Sequence, residues 1–175
     1  MIESAVKNAI RDIPDFPKPG IIFKDITPVL RDPALCRRIV HTFVERMNGI
    51  PGDVIVGIES RGFLFGMMIA QELGLPFVPV RKKGKLPGEI IAETYDLEYG
   101  TSTIEIHQDS LQPGQRVWIH DDLLATGGTV CAASRLIQKL GAEVAGYSFL
   151  VGLDFLEGKE LIKTYSENII TLANY

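Results

Sequence analysis

Basic charge is not in surplus in this sequence: 18 Lys and Arg stand against 22 Asp and Glu over 175 residues, a net of -4 with neutral histidines. No global positive field attracts nucleic acid or an anionic membrane, so an anionic ligand has to be held by local chemistry. Long apolar runs are missing too. The longest, Gly62 to Ala70, falls far short of the ~20 residues that span a bilayer. Cysteine is scarce: Cys36 and Cys131 both fall in expected helices and form no CxxC pair, which excludes a disulfide framework and a zinc knuckle. The opening MIESAVKNAIRDIP mixes charges into its apolar positions, unlike a secretory leader, and a soluble, cytoplasmic protein is expected. None of the 17 glycines is spaced G-x-G and no GxxxxGK precedes a Ser or Thr, so neither a dinucleotide fingerprint nor a P-loop is present.

What is there has a clear order. With 46% apolar residues the chain can bury one substantial core, and a single unit over 1–175 is expected. Val6, Ala9, Ile10 and Ile13 recur at helical spacing from Ser4 to Ile13, and the prolines of IPDFPKPG then predict an irregular segment. Asp32-Pro33 has the form of an N-cap and first helical residue, and Leu35, Ile39, Phe43 and Met47 make a stripe that Gly49 and Pro51 end. DVIVGI (Asp53 to Ile58) is the continuous apolar run of a strand buried on both faces; helical FLFGMMIAQEL and a strand from Pro76 to Arg81 follow. VWIH (Val117 to His120) repeats that design. Val130, Ala133, Ile137 and Leu140 then form a helical stripe closed by Gly141, and VAGYSFLVGL supplies another strand. Alternating strands and helices predict an α/β fold, a doubly wound, mainly parallel twisted sheet flanked by helices. Residues 1–31 are expected to form a small N-terminal hood, and residues 82–108, strand-like on both sides of Gly100, a flexible β-hairpin flap.

In such a sheet ligands bind beyond the carboxyl ends of the strands, where VWIHDDLLATGGTV delivers Asp121 and Asp122 into the loop Ala125-Thr126-Gly127-Gly128-Thr129. The helix that begins near Gly128 turns its unpaired N–H groups and positive dipole end to this loop, and the threonines add donors, which suits one phosphate. Carboxylates instead accept from hydroxyls, so the two features together suit a ligand with both groups, such as a ribose 5-phosphate. The competing reading is a tight turn in which the aspartates cap the helix. Glu59-Ser60-Arg61-Gly62 ends the first buried strand and opens a helix; it offers N–H groups and a guanidinium to a diphosphate, unless Arg61 pairs with a surface acid. Arg81, Lys82, Lys83 and Lys85 concentrate four cations, ordinarily a solvated charge run.

VWIHDDLLATGGT resembles the phosphoribosyl-diphosphate signature of type I phosphoribosyltransferases. PDFPKPGIIFKDITPVL, GIESRGFLFG, AQELGLPFVPVRKKGKLPG and YDLEYGTSTIEIH are similar, in the same order, to segments of the adenine-specific members of that family. The resemblance implies transfer of the phosphoribosyl group of 5-phosphoribosyl 1-diphosphate to adenine, giving AMP and pyrophosphate, with Mg2+ held mainly by substrate and water. It implies that Asp121 and Asp122 hold the ribose hydroxyls and that Ala125, Thr126, Gly127, Gly128 and Thr129 hold the 5-phosphate. Ser60, Arg61, Arg81, Lys82 and Lys85 are implied for the diphosphate, with Arg81 reaching the other subunit's site in a homodimer. Glu98, in LEYG, and Arg61 are implied as catalytic, Glu98 as base or partner of adenine N7. Ile22, Phe23, Lys24 and Leu123 are implied at the base, Phe23 stacked opposite Leu123 while backbone groups of Ile22 and Lys24 read its edge.

Three details accompany the resemblance. A non-proline cis peptide is expected near Glu59-Ser60. Lys24 stands where many relatives have arginine, and His120, at a usually aliphatic position, is expected to be a satisfied core histidine without a catalytic role. Two rival functions remain: an enzyme for another purine, xanthine or hypoxanthine/guanine, against which PGIIFKDIT and LEYG argue, and a non-catalytic sensor of phosphoribosyl diphosphate, for which the charge balance offers no nucleic-acid surface.

Overall fold

A computed structural model describes residues 1–97 and 100–175. In chain order the elements are α1 (Ile2–Ala9), β1 (Arg11–Pro14), β2 (Ile22–Asp25), α2 (Thr27–Leu30), α3 (Pro33–Met47), β3 (Val54–Ile58), α4 (Gly62–Leu73), β4 (Phe77–Lys82), β5 (Ile90–Asp96), β6 (Thr101–His107), β7 (Arg116–Leu124), α5 (Gly128–Lys139), β8 (Glu143–Gly152), α6 (Gly158–Ile162) and β9 (Ile169–Asn174). The main sheet runs β5-β6-β4-β3-β7-β8-β9, and β1 and β2 form a separate pair. From β4 through β9 the neighbours are parallel; β6 joins β4 antiparallel and pairs with β5 as a hairpin.

The unbroken apolar run of β3 has its reason in the layers. Val54, Val56 and Ile58 face Val130, Leu136 and Ile137, whereas Ile55 faces Phe43, Phe65 and Ile69, so both faces of the strand are covered. The Asp32 side chain caps α3 as expected, accepting from Ala34 N at 2.9 Å and Leu35 N at 3.0 Å.

The structure departs from the sequence expectation in three places. The first helix ends at Ala9 rather than Ile13. Arg11 to Pro14 is instead strand, paired antiparallel with Ile22 to Asp25, because a residue that precedes proline, here Ile13, is disfavoured in the helical region and the hairpin satisfies its backbone. The hood is therefore a two-stranded hairpin rather than an irregular segment. Second, β7 does not stop at His120: β8 is long enough to continue the pairing through Leu124, so Asp121 and Asp122 are strand residues and not loop residues. Third, α2, α6 and β9 have no counterpart in the sequence reading; each has six residues or fewer, too short to show a period. The expected hairpin within residues 82–108 forms as β5 and β6 and joins the sheet edge, with Arg81 opposite Glu105 and Lys82 opposite Ile104.

Candidate functional site

The carboxyl ends of β3 and β7 converge on one cleft of about 480 Å³, whose walls include Ser60, Arg61, Lys82, Asp121, Asp122, Leu123 and Thr129. Each is brought there by a strand end or helix start. The Glu59–Ser60 peptide is cis, as expected, and Arg61 immediately precedes α4. Gly62 lets that helix approach β7: a Cβ there would stand 2.8 Å from His120 O and 3.0 Å from Asp121 Oδ1. In consequence the Arg61 Nε reaches Asp122 Oδ2 at 2.8 Å. The surface-acid alternative for Arg61 is corrected in kind, since its partner is a buried member of the central pair. The same guanidinium lies 5.0 Å from the Phe23 ring centre.

Asp122 is buried and Asp121 half-buried, and the Asp122 N–H donates to Asp121 Oδ1 at 2.8 Å. Removal from water pushes both carboxyls upward from their ordinary range, and the charge of Asp122 raises Asp121 further. Arg61 opposes this, at Asp122 most directly. The arrangement is a pair of acceptors held at some electrostatic cost beside the start of α5, whose first-turn N–H groups lack intrahelical acceptors. Gly127, in the left-handed region at φ 85, makes the turn into α5.

The other expected site residues divide. Ile22, Lys24 and Thr126 do not line this cleft; they border a second cavity of about 520 Å³ with Leu153, Phe155 and Tyr175. Strand alternation in β2 sends Phe23 to one side and Ile22 and Lys24 to the other. The Lys24 Nζ is engaged there, 2.8 Å from Asp12 Oδ1 and 3.8 Å from the Tyr175 ring centre. The side chain that stands in place of arginine thus ties the hood to the last residues of the chain. Arg81 and Lys85 do not line the cleft; Arg81 is half-buried and Lys85 exposed, and both lie beside Glu59. Glu59 gathers them: it accepts from Lys82 N at 2.8 Å and Arg81 Nε at 3.3 Å, with Lys85 Nζ at 3.7 Å. Burial alone would push the Glu59 carboxyl up; the Lys82 N–H, Arg81 and Lys85 outweigh it and hold it below the usual range. Glu98 lies outside the described residues; Tyr95, Leu97 and Ser102, around it in sequence, line the cleft.

His120 is only half satisfied. Its Nδ1 lies 2.9 Å from Ser148 Oγ, its ring meets Phe43 edge-on at 5.4 Å, and Nε2 is buried with no partner among the described residues. Desolvation lowers its pKa from 6.5 to about 3. Below pH 6.5 the unfolded chain takes up a proton that the folded chain refuses, so stability rises with pH across that window and is lost as pH falls. At pH 5 the loss from this residue is about 2 kcal/mol. The urea midpoint of the wild type relative to His120→Leu should therefore fall as pH is lowered from 7 to 5; a difference that does not change with pH would show that His120 is not the proton acceptor.

Residues that no local signal marks but that brace the cleft include Glu59, which holds the 81–85 segment, Tyr95, and Gly158. Gly158 backs the 125–129 loop so closely that a Cβ there would stand 2.1 Å from Ala125 O. All three act through contacts distant in sequence.

Comparison with known proteins identifies the family. Residues 27–171 match the family described as Phosphoribosyl transferase domain. The chain is 55% identical over 175 residues to an adenine phosphoribosyltransferase of Cytophaga hutchinsonii, covering 100% of this chain and 97% of the relative. A crystal structure of adenine phosphoribosyltransferase from Thermoanaerobacter pseudethanolicus superposes with a TM-score of 0.95 at 47% identity, covering 100% of both chains. The Saccharomyces cerevisiae enzyme, solved with an imino-altritol bisphosphate and adenine, superposes at 0.90 with 41% identity and 98% coverage of each chain.

Proposed function

Because the chain belongs to the phosphoribosyl transferase family, and within it to the adenine phosphoribosyltransferases, we propose that the cleft between the ends of β3 and β7 is its active site. The reaction is transfer of the 5-phosphoribosyl group from 5-phosphoribosyl 1-diphosphate to adenine, giving AMP and pyrophosphate, a purine salvage step. One observation carries the assignment of the site: the Asp121–Asp122 pair and the start of α5 open on the same cleft, acceptors for hydroxyls beside donors for a phosphate.

In this reading Asp121 and Asp122 accept from the ribose hydroxyls, the 125–129 loop donates to the 5-phosphate, and Ser60, Arg61 and Lys82 face the diphosphate. As the bond from sugar C1 to the diphosphate oxygen breaks, positive charge develops on the sugar ring and negative charge on the leaving group. Cations at the mouth favour the second, and burial of the aspartate pair close to the sugar favours the first. Adenine N9 takes the vacated position and the imidazole ring loses a proton; Glu98 is the proposed acceptor or N7 partner. Phe23, held beside Arg61, and Leu123 are proposed to sandwich the base, with backbone groups of Ile22 and Lys24 reading its edge. The tie of Lys24 to Asp12 and Tyr175 supports backbone rather than side-chain recognition there.

Mg2+ is proposed as cofactor. Among the described residues no three His, Cys, Asp or Glu side chains converge as a cage, which fits an ion that keeps its waters and is bound through diphosphate and ribose oxygens. Once bound it would offset leaving-group charge. We further propose a homodimer in which Arg81 exchanges Glu59 for the diphosphate of the neighbouring site; the exposed Leu64, Met67 and Met68 on α4 support an interface. All of 1–175 is read as one functional unit. A cytoplasmic setting is supported by the free thiols of Cys36 and Cys131; among the described residues no helix is long and apolar enough to cross a membrane.

The test is a panel of bases with 5-phosphoribosyl 1-diphosphate, reading pyrophosphate release. Adenine should be the base turned over, and Glu98→Gln should lower kcat by ~10²-fold or more with little change in KM for the phosphoribosyl donor. Turnover of guanine, hypoxanthine or xanthine but not adenine would overturn the base, and an unchanged kcat would remove Glu98 from the chemistry.

A further inference from the structure

The hairpin that precedes Glu98 is fastened to α5 at two points of different chemistry. Glu93, on β5, accepts from Arg135 Nε at 2.5 Å and from Lys139 Nζ at 2.6 Å. Two residues on, and therefore on the same face of the strand, the Tyr95 hydroxyl accepts from Thr129 Oγ1 at 2.9 Å. The first fastening joins charged groups along the body of the helix. The second uses a hydroxyl at its N-terminal turn, in the loop read above as the phosphate cradle. Tyr95 and Thr129 both line the cleft, and the helix start is close to the strand: a Cβ on Gly128 would stand 3.7 Å from the Tyr95 ring and from Asp96 O.

A threonine hydroxyl has one proton and two acceptor positions. While the loop is empty, that proton goes to Tyr95. A phosphate oxygen is a stronger acceptor than a phenol, so an arriving phosphate takes it, and the phenol, itself a donor, turns to donate to the freed Thr129 oxygen. The resulting relay runs from phenol to threonine to phosphate with every bond pointing the same way, and each polarises the next. Filling the loop therefore tightens the hold on Tyr95 instead of releasing it. Tyr95 stands three residues before Glu98, whereas Glu93 contributes the same tie whether or not phosphate is present.

We infer that Tyr95 is a positioning residue that senses the 5-phosphate through Thr129 and fixes β5, the strand that precedes Glu98 in sequence, when the loop is occupied. The inference rests on the reading that residues 125–129 hold the 5-phosphate. The bland alternative is that Tyr95 only packs its ring against the core beneath β5, which phenylalanine would do equally well.

Ribose 5-phosphate is a probe that fills the sugar-phosphate part of the site without reacting. Hydrogen exchange of the amides in 96–102, with and without saturating ribose 5-phosphate, should slow on binding in the wild type. In Tyr95→Phe the probe should still bind, within ~10-fold of wild type, but the slowing should disappear and kcat should fall by about 3- to 10-fold, the range expected for one hydrogen bond. Thr129→Val, which leaves Tyr95 in place, should abolish the slowing too, and Thr129→Ser, which keeps the hydroxyl, should restore it. Thermal midpoints of the variants establish that each is folded. Slowing that persists in both Tyr95→Phe and Thr129→Val overturns the relay, as does a wild type that binds the probe with no change in exchange. Failure of the wild type to bind ribose 5-phosphate at all is a separate result; it overturns the phosphate-loop reading, and the inference falls with it.

Discussion

Asp121→Asn is expected to cut catalytic efficiency with 5-phosphoribosyl 1-diphosphate by ~10- to 100-fold, the worth of one hydrogen bond to an ionised acceptor, while raising the thermal midpoint of the unliganded protein. The two effects have one origin. Asp121 and Asp122 are consecutive, both lose water, and Arg61 touches only Asp122, at 2.8 Å. Because the carboxyl of Asp121 is pushed above its ordinary range, the folded chain keeps a proton there that the unfolded chain has released. Stability contributed by this group consequently falls as pH rises above the ordinary carboxylate range. Asparagine removes the charge but retains an Oδ1 able to accept from the Asp122 N–H, which the wild type donates at 2.8 Å. Melting curves and donor KM measured from pH 5 to 8 make the check. Wild type and variant should converge in stability toward acid pH; a destabilised variant at pH 7 would mean that the pair is not repulsive, and an unchanged KM would remove Asp121 from sugar recognition.

Gly158→Ala is expected to raise the donor KM by at least ~10²-fold and to cost about 1–3 kcal/mol of stability, as an extra methyl forced into a closed contact does. Its Cβ would fall 2.1 Å from Ala125 O and 3.1 Å from Gly127 N, and both are backbone atoms of the loop proposed to hold the 5-phosphate. The contact is reciprocal, since a Cβ on Gly127 would meet Gly158 O at 3.0 Å. No side chain can rotate away, so either the loop or the start of α6 must move. Steady-state kinetics in both substrates and a urea melt separate the cases. A rise in donor KM shows that the loop shifted; lost stability with the donor KM intact would show that α6 gave way and does not hold the loop.

Much of this was legible without coordinates, and for specific reasons. The stripe Leu35, Ile39, Phe43 and Met47 marks α3 because one helix face is buried, and Asp32 marks its start because an N-cap is a local hydrogen bond. The apolar run of β3 marks a two-sided strand for a similar reason. Where the expectation failed, the signal was weak or the deciding partner was distant. Ile13 fitted a helical period by itself, yet its place is opposite Phe23 in a hairpin. Nothing near Asp121 reveals that β8 is long enough to carry β7 past it.

The sequence by itself determined α3, the two-sided strand β3, the glycine turn into α5, and the juxtaposition of two carboxylates with that turn, because each is written in neighbouring residues or in a repeat of burial along one element. Only the tertiary structure decided that Arg61 rests on Asp122, that Glu59 gathers the basic run, that Lys24 is tied to Tyr175, and that Gly158 and Tyr95 stand behind and beside the 125–129 loop. Those contacts join segments far apart in the chain, and their distances are set by how the layers stack on the sheet, a quantity that no local pattern of residues encodes.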